Sequence, residues 1–259
     1  MIELHNVTKF YPPTKKGGQA VLAVDHVDLS LRPGQFVCIV GPSGCGKTTI
    51  LNMMAGFEQP SQGEILVDGT VVDKPGPERV VVFQQPSLFP WMNVYDNVAL
   101  GLTIREGKKS SHVPKVQAII DTVGLSGFEQ HFPYQLSGGM QQRAAIARAL
   151  ITEPQILLMD EPFGALDAQT RADMQRFLLS LWERLKPTVL FITHDVEEAI
   201  VLADRVVVMT PRPGKIAADI PINLGRPRQW DVTLSSDFLH YKKAVLNILK
   251  PGATSKLAH

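Results

Sequence analysis

Short apolar runs and longer runs with helical periodicity alternate along most of the chain. The run Phe36–Val40 is nearly all apolar, as expected for a strand that is buried on both faces. Similar runs of strand length recur at Val80–Phe83, Ile156–Met159, Val189–Thr193 and Arg205–Met209. Helical periodicity is found at Lys47–Ala55, Gly138–Leu150 and Ala168–Leu185. Strands that alternate with helices predict an α/β fold with a largely parallel sheet covered on both sides.

Two regions depart from this alternation. The N-terminal stretches Ile2–Val7 and Val27–Leu31 alternate apolar and polar residues, as half-buried strands do. Between about residues 86 and 154 the strand patterns disappear, which predicts a helical subdomain inserted into the sheet domain. Within it the polar run Arg105–Ser111 predicts a solvated loop, and the tail 251–259 is expected to be disordered.

Charge and composition narrow the classes of protein to which this chain can belong. The chain has 259 residues with 26 Lys and Arg against 25 Asp and Glu, so charge gives no reason to expect a nucleic-acid partner. No run approaches the roughly 18 apolar residues of a membrane span, and the N-terminus lacks the pattern of a secretory signal. If the protein works at a membrane, another polypeptide must hold it there. Cys38 and Cys45 are expected to be reduced thiols in a cytosolic setting.

The segment Gly41–Thr48 matches the phosphate-loop pattern of Gly, four residues and Gly-Lys-Thr without a mismatch. Because a buried strand precedes it and a helical run follows it, a Gly-rich turn that matches by chance is the less favoured interpretation. Backbone N–H groups in such a loop close around phosphate oxygens, helped by the positive end of the helix. Lys47 would then reach the β- and γ-phosphates, and the Thr48 hydroxyl would bind Mg²⁺.

The run Ile156–Met159 is followed by two carboxylates, Asp160 and Glu161. They fall at the C-terminal end of a predicted strand, which is the edge where open α/β sheets bind ligands. Asp160 would hold Mg²⁺, directly or through water, and Glu161 would orient and deprotonate an attacking water. The pair alone is weak evidence, because acidic residues beside Pro162 could instead cap a helix.

Two further polar residues, Gln84 and His194, directly follow other apolar runs. If these strands are parallel, then Lys47, Gln84, Asp160 and His194 share one edge of the sheet. A lone Gln or His is more often structural than catalytic. Four such placements in one chain nevertheless favour a functional site.

The segment Leu136–Arg143 predicts a second helix start, with Ser137 as its N-cap and two glycines after it. Its N-terminus is open to an anion but lacks the lysine of the phosphate loop. One chain thus carries two half-sites for phosphate, and the second half-site of one chain could complete the first of another. Without the phosphate loop, a merely flexible helix start would be the default interpretation.

Together these segments resemble the nucleotide-binding subunits of ABC transporters, over about residues 2–213 and in the order of that family. The matching segments are Gly41–Thr48 (Walker A), Gln84 (Q-loop), Leu136–Gln142 (signature), Ile156–Glu161 (Walker B), Ala165–Asp167 (D-loop) and His194 (switch histidine). Tyr11 matches the aromatic residue that stacks on adenine. The resemblance implies an α/β P-loop NTPase core of the ABC-ATPase type, with an N-terminal antiparallel β part, the helical subdomain and a C-terminal extension from about residue 215 to 259.

The resemblance also implies a head-to-tail homodimer with two ATP molecules at its interface. Each ATP would be held by the Lys47 loop of one subunit and by Ser137, Gly138 and Gly139 of the other, with Asp167 at the dimer contact. Besides Tyr11, the residues expected to bind ATP in cis are Gly41, Pro42, Ser43, Gly44, Cys45, Gly46, Lys47, Thr48 and Thr49. Those expected to hold Mg²⁺ are Thr48, Gln84 and Asp160, and the catalytic set is Lys47, Gln84, Glu161 and His194.

Met140 departs from the commonest signature, which has Gln there. Since Ser137 and the glycine amides make most of the phosphate contacts in that signature, we expect the change to be tolerated.

Three segments narrow the resemblance to the nitrate, sulfonate and taurine importer ATPases of bacteria: Leu88–Trp91, Glu161–Ala168 and Pro211–Gly214. This implies integral-membrane permease subunits that dock near Phe89–Trp91, an indirect solute-binding partner, and a peripheral place at the cytoplasmic face of the inner membrane. Phe89 and Trp91 could instead, or in addition, pack in the core of the helical subdomain. With only about sixty-five residues after His194, we expect no sizeable regulatory domain.

Two other classes of function stay open. A soluble ABC-type ATPase that acts on DNA or ribosomes usually carries coiled coils, zinc modules or a second ATPase domain, none of which this sequence shows. A GTPase should show an Asn-Lys-x-Asp motif, which we do not find, and a small-molecule kinase would not need the Ser137 signature. Nucleotide preference of the purified chain, with ATP favoured over GTP and no phosphoryl acceptor, would separate these classes.

Overall fold

The computed structural model describes residues 1–13, 18–228 and 230–250. The tail 251–259, for which disorder is predicted, lies outside the described residues. The chain forms two compact units, Met1–Gly76 with Thr188–His259 and Pro77–Pro187. The strands are β1 (Ile2–Tyr11), β2 (Val21–Leu31), β3 (Phe36–Val40), β4 (Gln62–Val67), β5 (Thr70–Val71), β6 (Arg79–Val82), β7 (Ile156–Asp160), β8 (Thr188–Thr193), β9 (Arg205–Met209) and β10 (Ile216–Pro221). The helices are α1 (Lys47–Ala55), α2 (Val94–Glu106), α3 (His112–Thr122), α4 (Gly138–Leu150), α5 (Ala168–Leu185), α6 (Val196–Leu202) and α7 (Ser236–Leu249), with short 3₁₀ turns at Pro133–Gln135 and Trp230–Leu234.

The first unit contains an antiparallel sheet of strand order β2-β1-β4-β5. In β1 the side chains of Ile2, Leu4 and Val7 are buried, whereas His5 is exposed. The alternation shifts at Asn6, whose φ is 51°, and the register with β2 shifts between Leu4 and Val7 as well. A β-bulge of this kind lets both ends of a long strand keep their apolar side chains on the buried face.

The same unit contains parallel strands around β3, in the order β10-β9-β3-β8. β3 pairs in parallel with β8 on one side and with β9 on the other, and β10 is antiparallel to β9. Every residue of β3 and β8 is buried. This explains why both strands read as unbroken apolar runs rather than as alternating ones.

The second unit combines a parallel strand pair, β6 with β7, and four helices. Helices α2, α3 and α4 pack around an apolar cluster whose members include Val98, Leu102, Val116, Ile120, Ala144 and Ala147. The apolar spacing on each helix is that of one buried face. This region supplies the helical part of the fold.

The predicted α/β class, with parallel strands, an antiparallel N-terminal part and a helical region, is confirmed. The helices predicted at Lys47–Ala55, Gly138–Leu150 and Ala168–Leu185 coincide with α1, α4 and α5. The loop predicted at Arg105–Ser111 is wrong at its first two residues, because α2 continues through Glu106 and is capped by Gly107, whose φ is 75°. Among the residues that the structure describes, no helix is both long enough and apolar enough to span a bilayer.

Candidate functional site

The loop between β3 and α1 turns on two glycines with left-handed backbone conformation. Gly44 has a φ of 73° and Gly46, the N-cap of α1, a φ of 104°. A Cβ at Gly46 would lie 2.9 Å from Val24 Cγ2 and 3.0 Å from the Ala23 oxygen. Glycine is therefore required at position 46 for two reasons: an L side chain is disfavoured at that φ, and a side chain has no room there.

Lys47 is the first residue of α1 and is only 6% exposed. Its Nζ donates to the carbonyl oxygens of Gly41 at 2.8 Å and Pro42 at 3.1 Å. The ammonium group is thus held against the inside of the loop, beside the positive end of the α1 dipole. A buried cation next to a helix N-terminus is an electrostatic site for a phosphate group.

Both cysteines are buried free thiols. Burial raises the pKa of the Cys45 thiol, while Lys47 acts in the opposite direction, and burial raises the pKa of Cys38 well above its usual value. Neither sulfur is set up as a thiolate nucleophile. Lys47 Nζ lies 4.0 Å from the Cys45 sulfur, and the expected contact of Cys45 with ATP stays a prediction.

Tyr11 lies beside the first turn of α1. Its hydroxyl donates to Glu58 Oε2 at 2.7 Å and lies 3.4 Å from Thr49 Oγ1, and Lys9 Nζ is 5.3 Å from the ring centroid. Burial raises the pKa of Tyr11, so the hydroxyl stays protonated at neutral pH. The ring is therefore tied to the helix that follows the phosphate loop. Its stacking on adenine stays a prediction.

The phosphate loop and His194 emerge from neighbouring strands. β3 and β8 are parallel with Val40 paired to Thr193, so Gly41 and His194 each follow one member of that pair. The predicted common edge is thus present in the first unit, and His194 is exposed at it. An exposed imidazole at the C-terminal end of a parallel strand is accessible to a ligand at that edge.

The turn that carries His194 is fixed on both sides. Asp195 caps α6, because its Oδ1 accepts from the backbone N–H groups of Glu197 at 2.9 Å and Glu198 at 3.2 Å. The Asp195 N–H in turn donates to Thr193 Oγ1 at 3.0 Å. The backbone around His194 is therefore held both by the strand before it and by the helix after it.

In the second unit Gln84 and Glu161 also follow neighbouring parallel strands, since Val82 pairs with Met159. Gly164 shows how closely the two side chains approach each other. A Cβ at that position would lie 3.0 Å from Gln84 Nε2 and 3.7 Å from Glu161 Oε2. The structure thus brings an amide and a carboxylate together at the C-terminal edge of β6 and β7, as predicted.

Asp160 and Glu161 do not cap a helix. The next helix, α5, begins at Ala168 and is capped by Asp167, whose Oδ1 accepts from the N–H groups of Gln169 and Thr170. Asp160 ends β7, and both carboxylates are half-buried. The helix-capping interpretation of the pair is therefore wrong.

Glu161 has a φ of 44°, in the left-handed region that non-glycine residues rarely adopt. Its carbonyl oxygen accepts from the N–H of Gly164 at 3.0 Å, which closes the turn after β7. Such a conformation costs about 1–2 kcal/mol for an L residue. Strain of this kind is concentrated at functional sites, where the surrounding structure fixes one side-chain direction.

Ser137 caps α4 as predicted. Its φ and ψ are −65° and 160°, and its Oγ accepts from the Met140 N–H at 3.3 Å. The helix start therefore has a defined geometry. The remaining N–H groups of its first turn point out along the helix axis, where an anion can accept hydrogen bonds from them.

The two glycines after Ser137 allow a close approach to the D-loop segment. A Cβ at Gly138 would lie 3.3 Å from Leu166 Cδ2, and one at Gly139 would lie 2.8 Å from Thr170 Cγ2. Asp167 lies between those neighbours in sequence, and its hydrogen bonds to Thr170 lower its pKa. The glycines therefore allow this close packing, and the interpretation of a merely flexible helix start is not supported. The part of Asp167 in a dimer contact stays a prediction.

Trp91 is 70% exposed, so the alternative interpretation that it packs in the subdomain core is wrong, and its part in permease docking stays a prediction. Its ring centroid lies 5.3 Å from that of Phe89, over which the Arg148 guanidinium lies at 5.7 Å. It is Leu88 that packs against the helical cluster. The two aromatic rings form a partly exposed apolar surface, and the partly buried Leu88 anchors this segment to the helical cluster.

Asn97 supplies a second anchor and was missed from the sequence. It is fully buried; its Nδ2 donates to the carbonyl oxygens of Phe89, Met92 and Asn93, and its Oδ1 accepts from the Phe89 N–H. No sequence pattern distinguishes an asparagine that binds the backbone of a neighbouring loop from any other asparagine inside a helix. Its effect is to fix the shape of the segment that presents Trp91.

The geometry agrees with comparisons to known proteins. The family model described as ABC transporter matches residues 24–164. The chain is 49% identical over 256 residues to an uncharacterized ABC transporter ATP-binding protein of Methanocaldococcus jannaschii, covering 99% of this chain and 94% of that one. It is 41% identical over 251 residues to the aliphatic sulfonates import ATP-binding protein SsuB of Bacillus cereus, covering 97% and 96%.

A solved structure is similar as well. The dimeric post-hydrolysis structure of the ATP-binding cassette MJ0796 bound to ADP and Pi shares 33% identity, with a TM-score of 0.73 over 87% of this chain and 100% of that one. The chain therefore belongs to the ABC transporter family, as its sequence predicts. Within that family it is an ATP-binding subunit and an ABC ATPase.

Substitution of Gly46 by Ala is expected to weaken ATP binding by about tenfold or more, or about 1.4 kcal/mol, because the new Cβ must displace the loop. Calorimetric titration of the purified chain with ATP measures this. The matched control is Gly69→Ala, since Gly69 also has a left-handed φ, of 78°, but a Cβ there meets nothing within 4 Å. Unchanged ATP affinity in the Gly46 variant would contradict the conclusion that the phosphate loop requires glycine at this position.

Proposed function

We propose that this chain is the ATP-hydrolysing subunit that powers a membrane importer for nitrate, a sulfonate, taurine or a similar small solute. The observation that carries the ATPase chemistry is the buried Lys47 inside the phosphate loop at the N-terminus of α1. Similarity over nearly the whole chain to a protein named for aliphatic sulfonate import supports the transport role. Further support is 44% identity over 220 residues to the taurine import ATP-binding protein TauB of Sinorhizobium fredii, covering 85% of this chain and 82% of that one.

Mg²⁺ is the metal that the proposed donor set fits. Thr48, Gln84 and Asp160 offer a hydroxyl, an amide and a carboxylate oxygen, and oxygen is the ligand atom that Mg²⁺ prefers. Bound with ATP, the ion would neutralise charge on the phosphates. Lys47 and the backbone N–H groups of the loop would supply the rest of the positive potential.

Hydrolysis would proceed by attack of water on the γ-phosphorus, with ADP as the leaving group. Glu161 would orient the water and accept its proton, and His194 would contact the γ-phosphate from the end of β8. The fixed backbone around each residue supports these roles, since phosphoryl transfer depends on positioning and electrostatics more than on covalent chemistry. The products are ADP and inorganic phosphate.

The functional unit would be a head-to-tail homodimer with two ATP molecules. Its support is that one chain has two separate helix starts suited to an anion, the Lys47 loop before α1 and the capped start of α4 at Ser137. The similar cassette of known structure is dimeric and binds ADP and Pi. Asp167 would lie at the contact between the two chains.

The importer would also contain permease subunits and, indirectly, a solute-binding protein. The exposed Trp91 beside Phe89 supports a docking surface for the permease near Phe89–Trp91. Closure of the dimer on ATP would move the helical region and Gln84, and so change the permease contact. The chain would work peripherally at the cytoplasmic face of the membrane. Action on nucleic acid or ribosomes is not favoured, because the net charge is +1 and the sulfonate and taurine relatives described above are named for import.

Substitution of Glu161 by Gln is expected to leave ATP binding nearly unchanged and to lower turnover by at least about 100-fold, because the base is lost. ATP titration and phosphate release by the purified chain measure the two effects. Glu153→Gln is the matched control, since Glu153 is also a glutamate with a left-handed φ, of 54°, but is paired with Lys115 on the surface. Unimpaired hydrolysis in the Glu161 variant would remove Glu161 from the base role.

The shared sites are tested by mixing two inactive variants, Lys47→Ala and Ser137→Arg. In a mixed dimer one site loses both halves, while the other combines an intact Lys47 loop with an intact Ser137 helix start. Mixing is therefore expected to restore measurable ATPase activity at equal total protein. Each variant alone is the control, and a mixture no more active than the two separate variants would contradict the pairing.

The importer role is tested by deleting this chain from its host and scoring growth on single nitrogen or sulfur sources. We expect growth to fail on one of nitrate, a sulfonate or taurine, together with uptake of that radiolabelled solute. Wild-type chain should restore both, and the Glu161→Gln variant should restore neither. Normal growth and uptake with all three solutes would contradict the proposed solute class.

A further inference from the structure

The C-terminal end of α6 is bound by two arginines that lie far from it in sequence. α6 has seven residues, and its last intrahelical bond joins the Ala203 N–H to the Ala199 oxygen. The four carbonyl groups of residues 200–203 then have no partner within the helix. Every helix leaves such a set of acceptors at its C-terminus.

Guanidinium groups satisfy all four of these carbonyls. Arg228 Nη1 donates to the carbonyl oxygens of Ile200 at 3.0 Å, Val201 at 3.0 Å and Ala203 at 2.7 Å. Arg226 Nη2 donates to the Leu202 oxygen at 2.8 Å. Two positive charges at a helix C-terminus also stabilise the negative end of its dipole.

One of these arginines, Arg226, also connects the end of α6 to β3. Arg226 Nη2 also donates to Asp204 Oδ1 at 2.9 Å, and Asp204 Oδ2 accepts from the Phe36 N–H at 2.9 Å. The Asp204 N–H donates to the Phe36 oxygen at 2.8 Å. Because Phe36 begins β3 and β3 leads to the phosphate loop, the end of α6 is held in register with the strand that carries the nucleotide loop.

Arg228 is only 7% exposed. Burial of a guanidinium is costly unless hydrogen bonds offset the lost hydration. Here its Nη2 also reaches the carbonyl oxygens of Ile222 at 3.3 Å and Leu224 at 3.4 Å. Because its charge is buried and bound by five carbonyl acceptors, the Arg228 side chain is held in one position and is not a surface group.

His194 lies at the other end of α6, separated from the helix only by its cap Asp195. A helix of seven residues is about 10 Å long and is too short to be stable by itself. Five of its seven residues are buried, so the helix is held by this packing together with the bonds at its two ends. The Asp195 cap fixes the end next to His194, and Arg226 with Arg228 fixes the far end.

We propose that Arg226 and Arg228 are positioning residues for His194, acting through α6. The inference rests on the proposed catalytic role of His194. Loss of the arginine contacts lets the last turn of α6 open, so that the cap and the turn before it lose their fixed place. The C-terminal segment thereby contributes to ATP hydrolysis without touching the nucleotide.

The test compares Arg228→Met in the full chain with the matched control Arg205→Met. Arg205 also donates to a backbone carbonyl, of Ser30 at 2.8 Å, and pairs with Asp219, but these contacts lie outside α6. We expect Arg228→Met to lower the turnover number about tenfold with ATP affinity nearly unchanged, as small displacements of catalytic groups do. Amide exchange should accelerate in residues 194–203 in this variant and not in the control.

A double-mutant cycle with His194→Ala separates positioning from general damage. If Arg228 acts through His194, then Arg228→Met should cause no further loss of turnover in the His194→Ala chain. The inference would be overturned if Arg228→Met lowered turnover as much in the His194→Ala chain as in the wild type. It would also be overturned if Arg228→Met alone left turnover unchanged. Either result would leave the ATPase assignment intact. Unimpaired turnover in His194→Ala alone would instead refute the proposed role of His194, and this inference with it.

Arg226→Gln provides a second variant if the Arg228 chain does not fold. Arg226 is less buried, and glutamine keeps one donor for the Leu202 carbonyl. We expect a fall in turnover of about threefold, restored by Arg226→Lys, because lysine keeps the charge next to Asp204. Turnover equal to wild type in Arg226→Gln, with faster amide exchange in α6, would show that α6 does not position His194.

Discussion

The parallel pairing of β3 with β8 and β9 is the interaction on which the first unit depends. All five residues of β3 are buried and its backbone is paired on both sides, so the strand has little freedom to shift along its neighbours. Its end therefore defines where the phosphate loop begins. The pairing of Val40 with Thr193 fixes at the same time where His194 emerges. The same logic operates in the second unit, where the pairing of Val82 with Met159 aligns Gln84 and Glu161.

This dependence explains why much of the fold and the site could be predicted from the sequence. A strand buried on both faces is an unbroken apolar run, and a polar residue directly after such a run marks its C-terminal edge. Gln84, Asp160 and His194 were found in this way, with Glu161 directly after Asp160, whereas Lys47 was found from the phosphate-loop pattern. The glycines of the phosphate loop and the Ser137 cap carry their own local signatures, because backbone conformation and capping are decided by a few neighbouring residues.

What could not be predicted depends on contacts between distant segments. Asn97 and Arg228 each bind several backbone carbonyls, but nothing near them in the sequence indicates which carbonyls those are. The sequence left the position of Trp91 open for a related reason, since an aromatic residue in an apolar context suits a core as well as a surface. Residues that satisfy the ends of helices from far along the chain become visible only when the fold brings them there.

The left-handed conformation of Glu161 has a consequence beyond catalysis. At this position the residue that best suits the backbone is glycine, whereas the residue that the proposed chemistry requires is a carboxylate. Folding stability and activity are thus in competition at a single residue, and selection for a more robust fold alone would remove the glutamate. The turn after β7 therefore belongs to those places where a protein gives up stability for function.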